Sequence, residues 1–437
     1  MTDLPANPPA SKTTSWPAPA LPRGRIFPAQ LALAAELLER ITDEALPADR
    51  SLQRELAARR RMGRRDRERV RELVLFVLRQ RRLIDWLLES DDPPMAARVG
   101  IAIALADRID PVLAETAGLT PDRLEHVSSA TARSVEDLPA PVRFNLSTEA
   151  ETRWQRLDPP EPEALAHALD GRAPVDLHLN PRHQDRPALQ QELAGAGIDA
   201  RPIPGLPQAL RLERPARLTR LDAFLAGGFE IQDAGSQWVV RATGARPDER
   251  VLDLCAGAGG KTLGMLDETR GRLAVTACDL HAERLERLAA RAARHGDRDL
   301  DLRALDATAP LPADMGRFDR VLIDAPCSGS GTWRRHPELR WARIDWPELA
   351  RTQRALIENG ARATRPRGLL VYATCSLWRE ENEDIVEAFL SDHPDWHPES
   401  PAIDDLPDDA IEQAMIRLRP DRHGCDGFFI ACLRAPD

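Results

Sequence analysis

LDLCAGAGGKT, residues 252–262, ends an apolar run in a glycine turn and closes on Gly260-Lys261-Thr262. A loop that cradles nucleotide phosphates requires G-x-x-x-x-G-K-[ST]. The last three positions fit, but Cys255 stands where the first glycine belongs. The run RVLIDAP, with Asp324 near its end, would pass for the strand and acid that hold magnesium in an NTPase. Against that reading, the turn is tighter, with Gly257, Gly259 and Gly260 crowded behind the strand. The chain has two lysines, Lys12 and Lys261, in a sequence that otherwise uses arginine for positive charge. A compact amine kept in the glycine turn suits a place where a small point donor is required.

Outward from this turn, residues 229–437 alternate between short β-rich runs and helical stretches. RVLDLC, RLAVTACD, DLRALDA, RFDRVLIDAP and GLLVYATCS read as strands, and HAERLERLAARAARHG and WPELARTQRALIENGARAT as helices. Such alternation predicts a doubly wound parallel sheet with ligands at the carboxyl ends of its strands. The chemical residues fall at those ends. Asp279 closes the strand after the turn, 18 residues beyond Lys261, where a ribose diol needs a bidentate acceptor. Asp306 follows a third strand, placed to meet an adenine edge. A glycine turn and these two acids describe an adenosine lying across the sheet, and no triphosphate is required.

The N-terminal part is organised differently. MTDLPANPPASKTTSWPAPALPRG, rich in Pro, Ala and Ser, predicts a disordered tail over 1–24 and lacks the pattern of a secretory signal. Helical spacing of apolar residues in QLALAAELLERI and DRERVRELVLFVLRQRRLIDWLLES predicts a helical domain over 25–140, interrupted by DDPP at 91–94. The stretch EDLPAPVRF marks a boundary, and 141–228, with VDLHLN and ALRLE as strands around a helix, reads as a small α/β domain. The net charge of −10 opposes wholesale nucleic-acid binding. It hides an asymmetry, because Arg50 to Arg82 holds 13 arginines against 4 acids, enough for an RNA-phosphate surface. Acid concentrates in REENEDIVE and DDLPDDAIE. No apolar run approaches the roughly 18 residues of a membrane helix. The six cysteines show neither a disulfide framework nor CxxC spacing, and the histidines, including His393 and His397, form no metal pattern. A cytoplasmic monomer without metal is the expectation.

Two of those cysteines end strands. Cys327 lies in DAPCSGSGT and Cys375 in YATCSL, each followed by serine, at the ligand end of the sheet beside the adenosine site. The single tyrosine, Tyr372, lies three residues before Cys375. A reaction that combines a thiol, an acid and S-adenosylmethionine is methylation of pyrimidine C5. That carbon becomes nucleophilic only after a thiolate adds at C6, while a donor offsets charge at N3. One cysteine can start this cycle and a second can help end it.

At these motifs the sequence resembles the Sun/RsmB-like family of RNA cytosine-5 methyltransferases. The matching stretches are IQDAGSQWV, VLDLCAGAGGKT, DAPCSGSGTWRRHPELRW, GLLVYATCSLWREENEDIVEAFL and HGCDGFFIACL, spread over nearly all of 229–437. The resemblance implies a C-terminal class I, Rossmann-like methyltransferase domain over 229–437. Cys375 would be the nucleophile, Cys327 would assist product release, and Asp324 and Lys261 would contact the base. Cys255, Ala256, Gly257, Ala258, Gly259, Gly260 and Lys261, with Asp279, Asp306 and Asp324, would line the S-adenosylmethionine pocket. DNA cytosine-5 methyltransferases, similar in chemistry, carry the nucleophile in the Pro-Cys motif, which would move that role to Cys327. LPADRSLQRELAARRRMGRRDRERVRELVLFVLRQRRLIDWLL resembles the NusB-like helical domain of the RsmB branch, which modifies small-subunit ribosomal RNA. The 141–228 domain is similar to the family's small RNA-contacting domain, although His178 in LHLN departs from the family's usual Arg-Val-Asn.

The expectation is therefore an enzyme that methylates cytosine C5 in RNA, 16S rRNA before tRNA, with a non-catalytic antitermination-like RNA-binding factor as the rival class. Arg334, Arg335 and His336 read as RNA-phosphate contacts, and Asp426, Phe428 and Phe429 as packing residues of the final strands.

Overall fold

A computed structural model describes residues 16–437 apart from 45, 158, 402 and 404. The chain divides into two compact units. One holds 1–170 together with Trp333–Arg343, and the other holds Gly171–Thr332 and Ile344–Asp437.

The first unit is helical. Its helix Pro28–Asp43 starts on a proline, whose fixed φ suits the first turn, and buries Leu31, Ala34, Ala35, Leu38 and Ile41 on one face. The helix Arg64–Leu87 buries Val70, Leu73, Val74, Val77, Leu78, Ile84 and Leu87, and kinks at Gln80, whose φ of −123° leaves the helical region. Met95–Leu105 packs into the same core. The expected tail over 1–24 falls largely outside the described residues, but from Trp16 onward it is packed. The Trp16 indole donates to Arg133 O at 2.9 Å, and Arg108 donates to Pro22 O at 3.0 Å. Helices Thr148–Leu157 and Pro162–Asp170 also fall in this unit. The return segment Trp333–Arg343 joins it as well: the Trp341 indole donates to Leu78 O at 2.6 Å.

The second unit carries two sheets. Strands β1 (Val175–Leu179), β2 (Ala200–Ile203), β3 (Leu206–Leu212) and β4 (Phe229–Ile231) form an antiparallel sheet in the order β2-β3-β1-β4. Leu177, Leu179, Leu210 and Phe229 pack there on Leu189 and Leu193 of the helix Arg186–Gly195. Because β4 pairs with β1, the small sheet closes only after Ile231, later than the boundary expected at 228.

The large sheet has nine strands. They are β5 (Arg250–Asp253), β6 (Ala274–Asp279), β7 (Asp301–Ala304), β8 (Phe318–Asp324), β9 (Thr364–Thr374), β10 (His397–Pro398), β11 (Ile411–Glu412), β12 (Met415–Leu418) and β13 (Phe428–Arg434). Its order is β11-β12-β13-β9-β8-β5-β6-β7, with β10 on β13. The five strands β5 to β9 run parallel, as expected from the alternation, and β13, β12 and β11 continue the sheet antiparallel. The switch point lies between β5 and β8, whose carboxyl ends carry the glycine turn and Asp324. That crevice is where a doubly wound sheet binds its ligand. No described helix is long and apolar enough to cross a membrane.

Candidate active site

The site begins where β5 delivers Asp253 into the glycine turn. Gly257 and Gly259 have φ of +57° and +83°, a region side chains rarely occupy. Gly259 is also crowded: a Cβ there would lie 2.0 Å from Leu288 Cδ1. At Gly257 a Cβ would meet nothing within 4 Å, so this glycine borders open space. A cradle that stays open because a side chain is missing is what close approach of a cofactor requires. The helix Gly260–Glu268 starts directly behind it. Thr262 Oγ1 donates to Asp253 Oδ2 at 2.6 Å, and both residues are fully buried. The hydroxyl that would hold magnesium in a phosphate loop is thus committed to a buried carboxyl, and the NTPase reading loses its metal ligand. Burial pushes the Asp253 carboxyl up to about 7, although the Thr262 bond opposes the rise. Among the described residues its Oδ1 has no hydrogen-bond partner.

The acids behave differently from one another. Asp279 accepts from Gly257 N at 2.9 Å through Oδ2 and from His281 N at 2.8 Å through Oδ1, which fixes the carboxylate against the turn. Each oxygen keeps a further lone pair for a diol. Asp306 is exposed beyond β7 and binds Thr308 N and Oγ1 at 2.9 and 2.6 Å. These bonds hold its carboxyl below the usual range. Asp324 Oδ2 accepts from Lys261 Nζ at 2.5 Å. Lys261 is only 9% exposed and lies 5.4 Å from the Phe428 ring centroid. Burial, the largest influence on Lys261, disfavours its charge. Asp324 outweighs burial, and the ammonium is held above its ordinary range.

The Sγ atoms of Cys327 and Cys375 lie 3.4 Å apart, both half-buried. The contact with Cys375, then burial, pushes the Cys327 thiol well above the usual cysteine range. Cys255 is half-buried too, and burial raises its thiol. Cys278, Cys425 and Cys432 are buried among apolar neighbours, where burial pushes Cys278 and Cys432 to about 12.

The structure therefore brings Lys261, Asp324, Cys327 and Cys375 into one second-unit cluster with the turn 255–260 and Asp279, and Asp306 is exposed beyond β7, next to Leu305, whose N donates to Asp279 O at 3.1 Å. Several readings change. Phe428 was expected only to pack the final strands, yet its ring faces the Lys261 ammonium. His178 is buried, with Nδ1 3.2 Å from Gln237 Oε1, so it does not face RNA. Arg334 is 6% exposed, which removes it from a phosphate-gripping surface, and His336 faces Glu338 at 3.4 Å. His393 pairs with Glu358 at 2.9 Å. Tyr372 is buried and donates to Glu381 O at 2.7 Å. The reading of the sequence missed Glu381 altogether. It sits in an acid-rich run that reads as surface, yet it is 1% exposed beneath the two cysteine loops. Asp253 was quoted in the motif without a role; a carboxyl closing a strand just before a glycine turn was the signal available.

The family described as 16S rRNA methyltransferase RsmB/F matches residues 242–434, and the ferredoxin-like domain of the RsmF/B-like methyltransferases matches 151–219. Ribosomal RNA small subunit methyltransferase B of Salmonella arizonae is 31% identical over 432 residues, covering 92% of this chain and 97% of that one. The probable ribosomal RNA small subunit methyltransferase B of Synechocystis is 35% identical over 283 residues, 63% of each chain. Among solved structures, NSun6 from Pyrococcus horikoshii with SFG shares the fold at a TM-score of 0.59 and 21% identity, covering 67% of this chain and 98% of that one. With a turn, a buried Lys–Asp pair and two facing thiols on a doubly wound sheet, and a relationship that spans nearly its whole length, the chain belongs to the RsmB/F family of methyltransferases.

Proposed function

We propose that this chain uses S-adenosylmethionine to methylate C5 of a cytosine in 16S rRNA, with Cys375 as the nucleophile. The observation that carries this reading is the pair of half-buried sulfurs, 3.4 Å apart, at the carboxyl ends that also bear Lys261 and Asp324. The RNA class follows from relatives named for the small ribosomal subunit. SFG, the ligand of the NSun6 structure, is an S-adenosylmethionine analogue, and the fold is shared. The turn at 255–261, Asp279, Asp306 and Asp324 would hold the cofactor, with Gly257 bordering the open cradle. When bound, S-adenosylmethionine supplies the methyl group that ends on C5.

The chain's residues do the rest. The Cys375 thiolate adds to C6 of a base drawn out of its stack, which turns the ring into an enamine. Cys327 faces the Cys375 sulfur at 3.4 Å, where one thiol can donate to the other. The resemblance of the Thr-Cys-Ser motif to that of the family supports Cys375 as the nucleophile over the Pro-Cys alternative. The buried Lys261 ammonium, oriented by Asp324, offsets charge that develops on the ring. After transfer the C5 proton leaves to a base, the C6–S bond breaks, and Cys327 assists that release. A NusB-like helical domain over 25–140 and the small sheet would grip RNA. Arg60, Arg61, Arg64 and Arg65 support this role, being exposed with no ion-pair partner among the described residues. Such a substrate places the enzyme in the cytoplasm.

Bisulfite sequencing of total RNA from a strain lacking this chain tests the reading. One cytosine of small-subunit rRNA should lose its mark and regain it on complementation. A loss confined to tRNA overturns the substrate, and no loss anywhere overturns the reaction.

A further inference from the structure

The two cysteine loops are tied together from below by one carboxylate. Glu381 lies in the short turn Arg379–Glu381 after β9 and is almost fully buried. Its Oε1 accepts from Ser328 N at 2.6 Å and from Gln353 Nε2 at 3.3 Å. Its Oε2 accepts from Ser328 Oγ at 2.6 Å and from Ser376 Oγ. Ser328 follows Cys327 and Ser376 follows Cys375, so the residue after each cysteine is bound to the same carboxyl. The serine hydroxyls lie 3.2 Å from each other, and Gly331 N donates to Cys375 O at 2.9 Å, which closes the lacing between the loops. None of these donors carries a full charge. Burial, the largest influence, raises the Glu381 carboxyl above its usual range, and the hydroxyl and amide donors oppose that rise. An acid kept at such cost beneath two thiols fits a positioning role better than a stabilising one.

Resting on the cytosine-C5 reading above, we propose that Glu381 is the positioning residue that sets the spacing of the Cys327 and Cys375 sulfurs. It touches neither substrate nor cofactor and acts through Ser328 and Ser376. Misplacing reacting groups by about 1 Å costs roughly 100-fold in rate. Glu381→Ala should therefore lower kcat for methyl transfer by about two orders of magnitude and leave the KM for RNA unchanged.

A second measurement reads the spacing without RNA or cofactor. Oxidised glutathione reacts with one thiolate, releasing reduced glutathione and leaving a mixed disulfide. The neighbouring thiolate then displaces the second glutathione and closes a Cys327–Cys375 disulfide, so two thiols are oxidised and one glutathione disulfide is reduced. The closure step depends on sulfur proximity. Mass spectrometry of the folded full chain should show fast closure in the wild type. Glu381→Ala should accumulate the mixed disulfide, with closure slowed by roughly tenfold or more. Glu381→Gln keeps the acceptor for Ser328 N and the shape of the side chain, and should restore closure and kcat to within a few-fold. If Glu381→Ala does not fold, the double substitution Ser328→Ala, Ser376→Ala removes both hydroxyl ties and leaves the Ser328 N tie, and should slow closure and kcat in the same direction by a smaller factor. Closure at the wild-type rate in a folded variant, or a loss expressed only in KM, overturns the proposal. A chain that closes its disulfide as expected but methylates no RNA overturns the proposed function and leaves the spacing role standing.

Discussion

The Cys327 and Cys375 sulfurs face each other at 3.4 Å, close enough for one to donate to the other. The proposed reaction gives them different jobs, attack by Cys375 and assistance to release by Cys327, and the two substitutions separate those jobs. Cys375→Ala should abolish methyl transfer and the covalent RNA adduct. Cys327→Ala should still form the adduct and release it slowly, so that an RNA-linked band accumulates on a denaturing gel. An active Cys375→Ala enzyme together with a dead Cys327→Ala enzyme would reverse the roles.

Lys261 and Asp324 form the ion pair of the proposed site. Lys261→Met leaves the Asp324 carboxylate unpaired, but that side chain is 32% exposed and water takes up part of the charge. Stability should fall by only about 1–2 kcal/mol, below the cost of breaking a fully buried pair. Methyl transfer should fall by about 100-fold or more, since a preorganised cation is removed from where charge develops. Thermal melting and single-turnover rates on the same preparation separate the two effects.

Asp253 gives the chain a pH dependence whose sign can be worked out. Burial raises its carboxyl in the folded state to about 7, while the unfolded chain titrates near about 4. The folded state therefore binds the extra proton. Its contribution is fully present below the unfolded value and is lost as pH rises through about 7. Asp253→Asn keeps the acceptor for Thr262 and removes the buried charge. As pH rises from 5 to 9 the variant should gain roughly 3 kcal/mol over the wild type, out of about 4 kcal/mol that a titration displaced by about three pH units carries in full. Parallel denaturant titrations at the two pH values check it, and a pH-independent difference would contradict the assignment.

The two glycines with positive φ should fail in different ways. Gly259→Ala drives a methyl into buried Leu288 and should destabilise the fold by about 2 kcal/mol or more. Gly257→Ala meets no neighbour and carries only the left-handed strain of about 1–2 kcal/mol. Its methyl would enter the open cradle, so cofactor affinity should drop more than stability. Calorimetry with S-adenosylmethionine, set beside melting curves, distinguishes the pair.

What could be read from the sequence was what repeats with a short period. The parallel strands β5, β6, β8 and β9 announce themselves as apolar runs, and their last residues, from Asp253 to Thr374, with Cys375 directly after, sit where such strands end. Local patterns do not say what pairs at long range. β4 is three residues long and is defined by its pairing with β1, so the boundary at 228 cut through the small sheet. The helices of 148–170 carry no mark of the unit they join; Asn145 Oδ1 accepts from Arg82 N and Glu151 pairs with Arg82, contacts made only once the chain has folded. Glu381 was invisible for a similar reason. Among Arg379, Glu380, Asn382 and Glu383 it looks solvated, and Ser328 after β8 and Gln353, both distant in sequence, join Ser376 in making it a buried acceptor.

The arginine-rich stretch divides on the same principle, and the division makes a prediction. Arg69 is buried against Asp66 at 2.6 Å and donates to Pro22 O, and Arg71 pairs with Asp49 at 2.6 Å, so part of the excess charge is spent inside the helical unit. Arg60, Arg61, Arg64 and Arg65, around the turn between the helices Ala48–Ala58 and Arg64–Leu87, are exposed with no ion-pair partner among the described residues. If these four grip phosphates, replacing them by alanine should weaken RNA binding uniformly across sequences. The slope of log affinity against log salt should also flatten, by about 0.7–0.9 for each phosphate no longer neutralised. Melting temperature should hardly change, because surface substitutions away from caps and pairs stay within about 0.5 kcal/mol. Replacing Arg69 should do the opposite, lowering stability while leaving the salt slope as it was. Equal slopes for the quadruple variant and the wild type would move RNA binding off this turn.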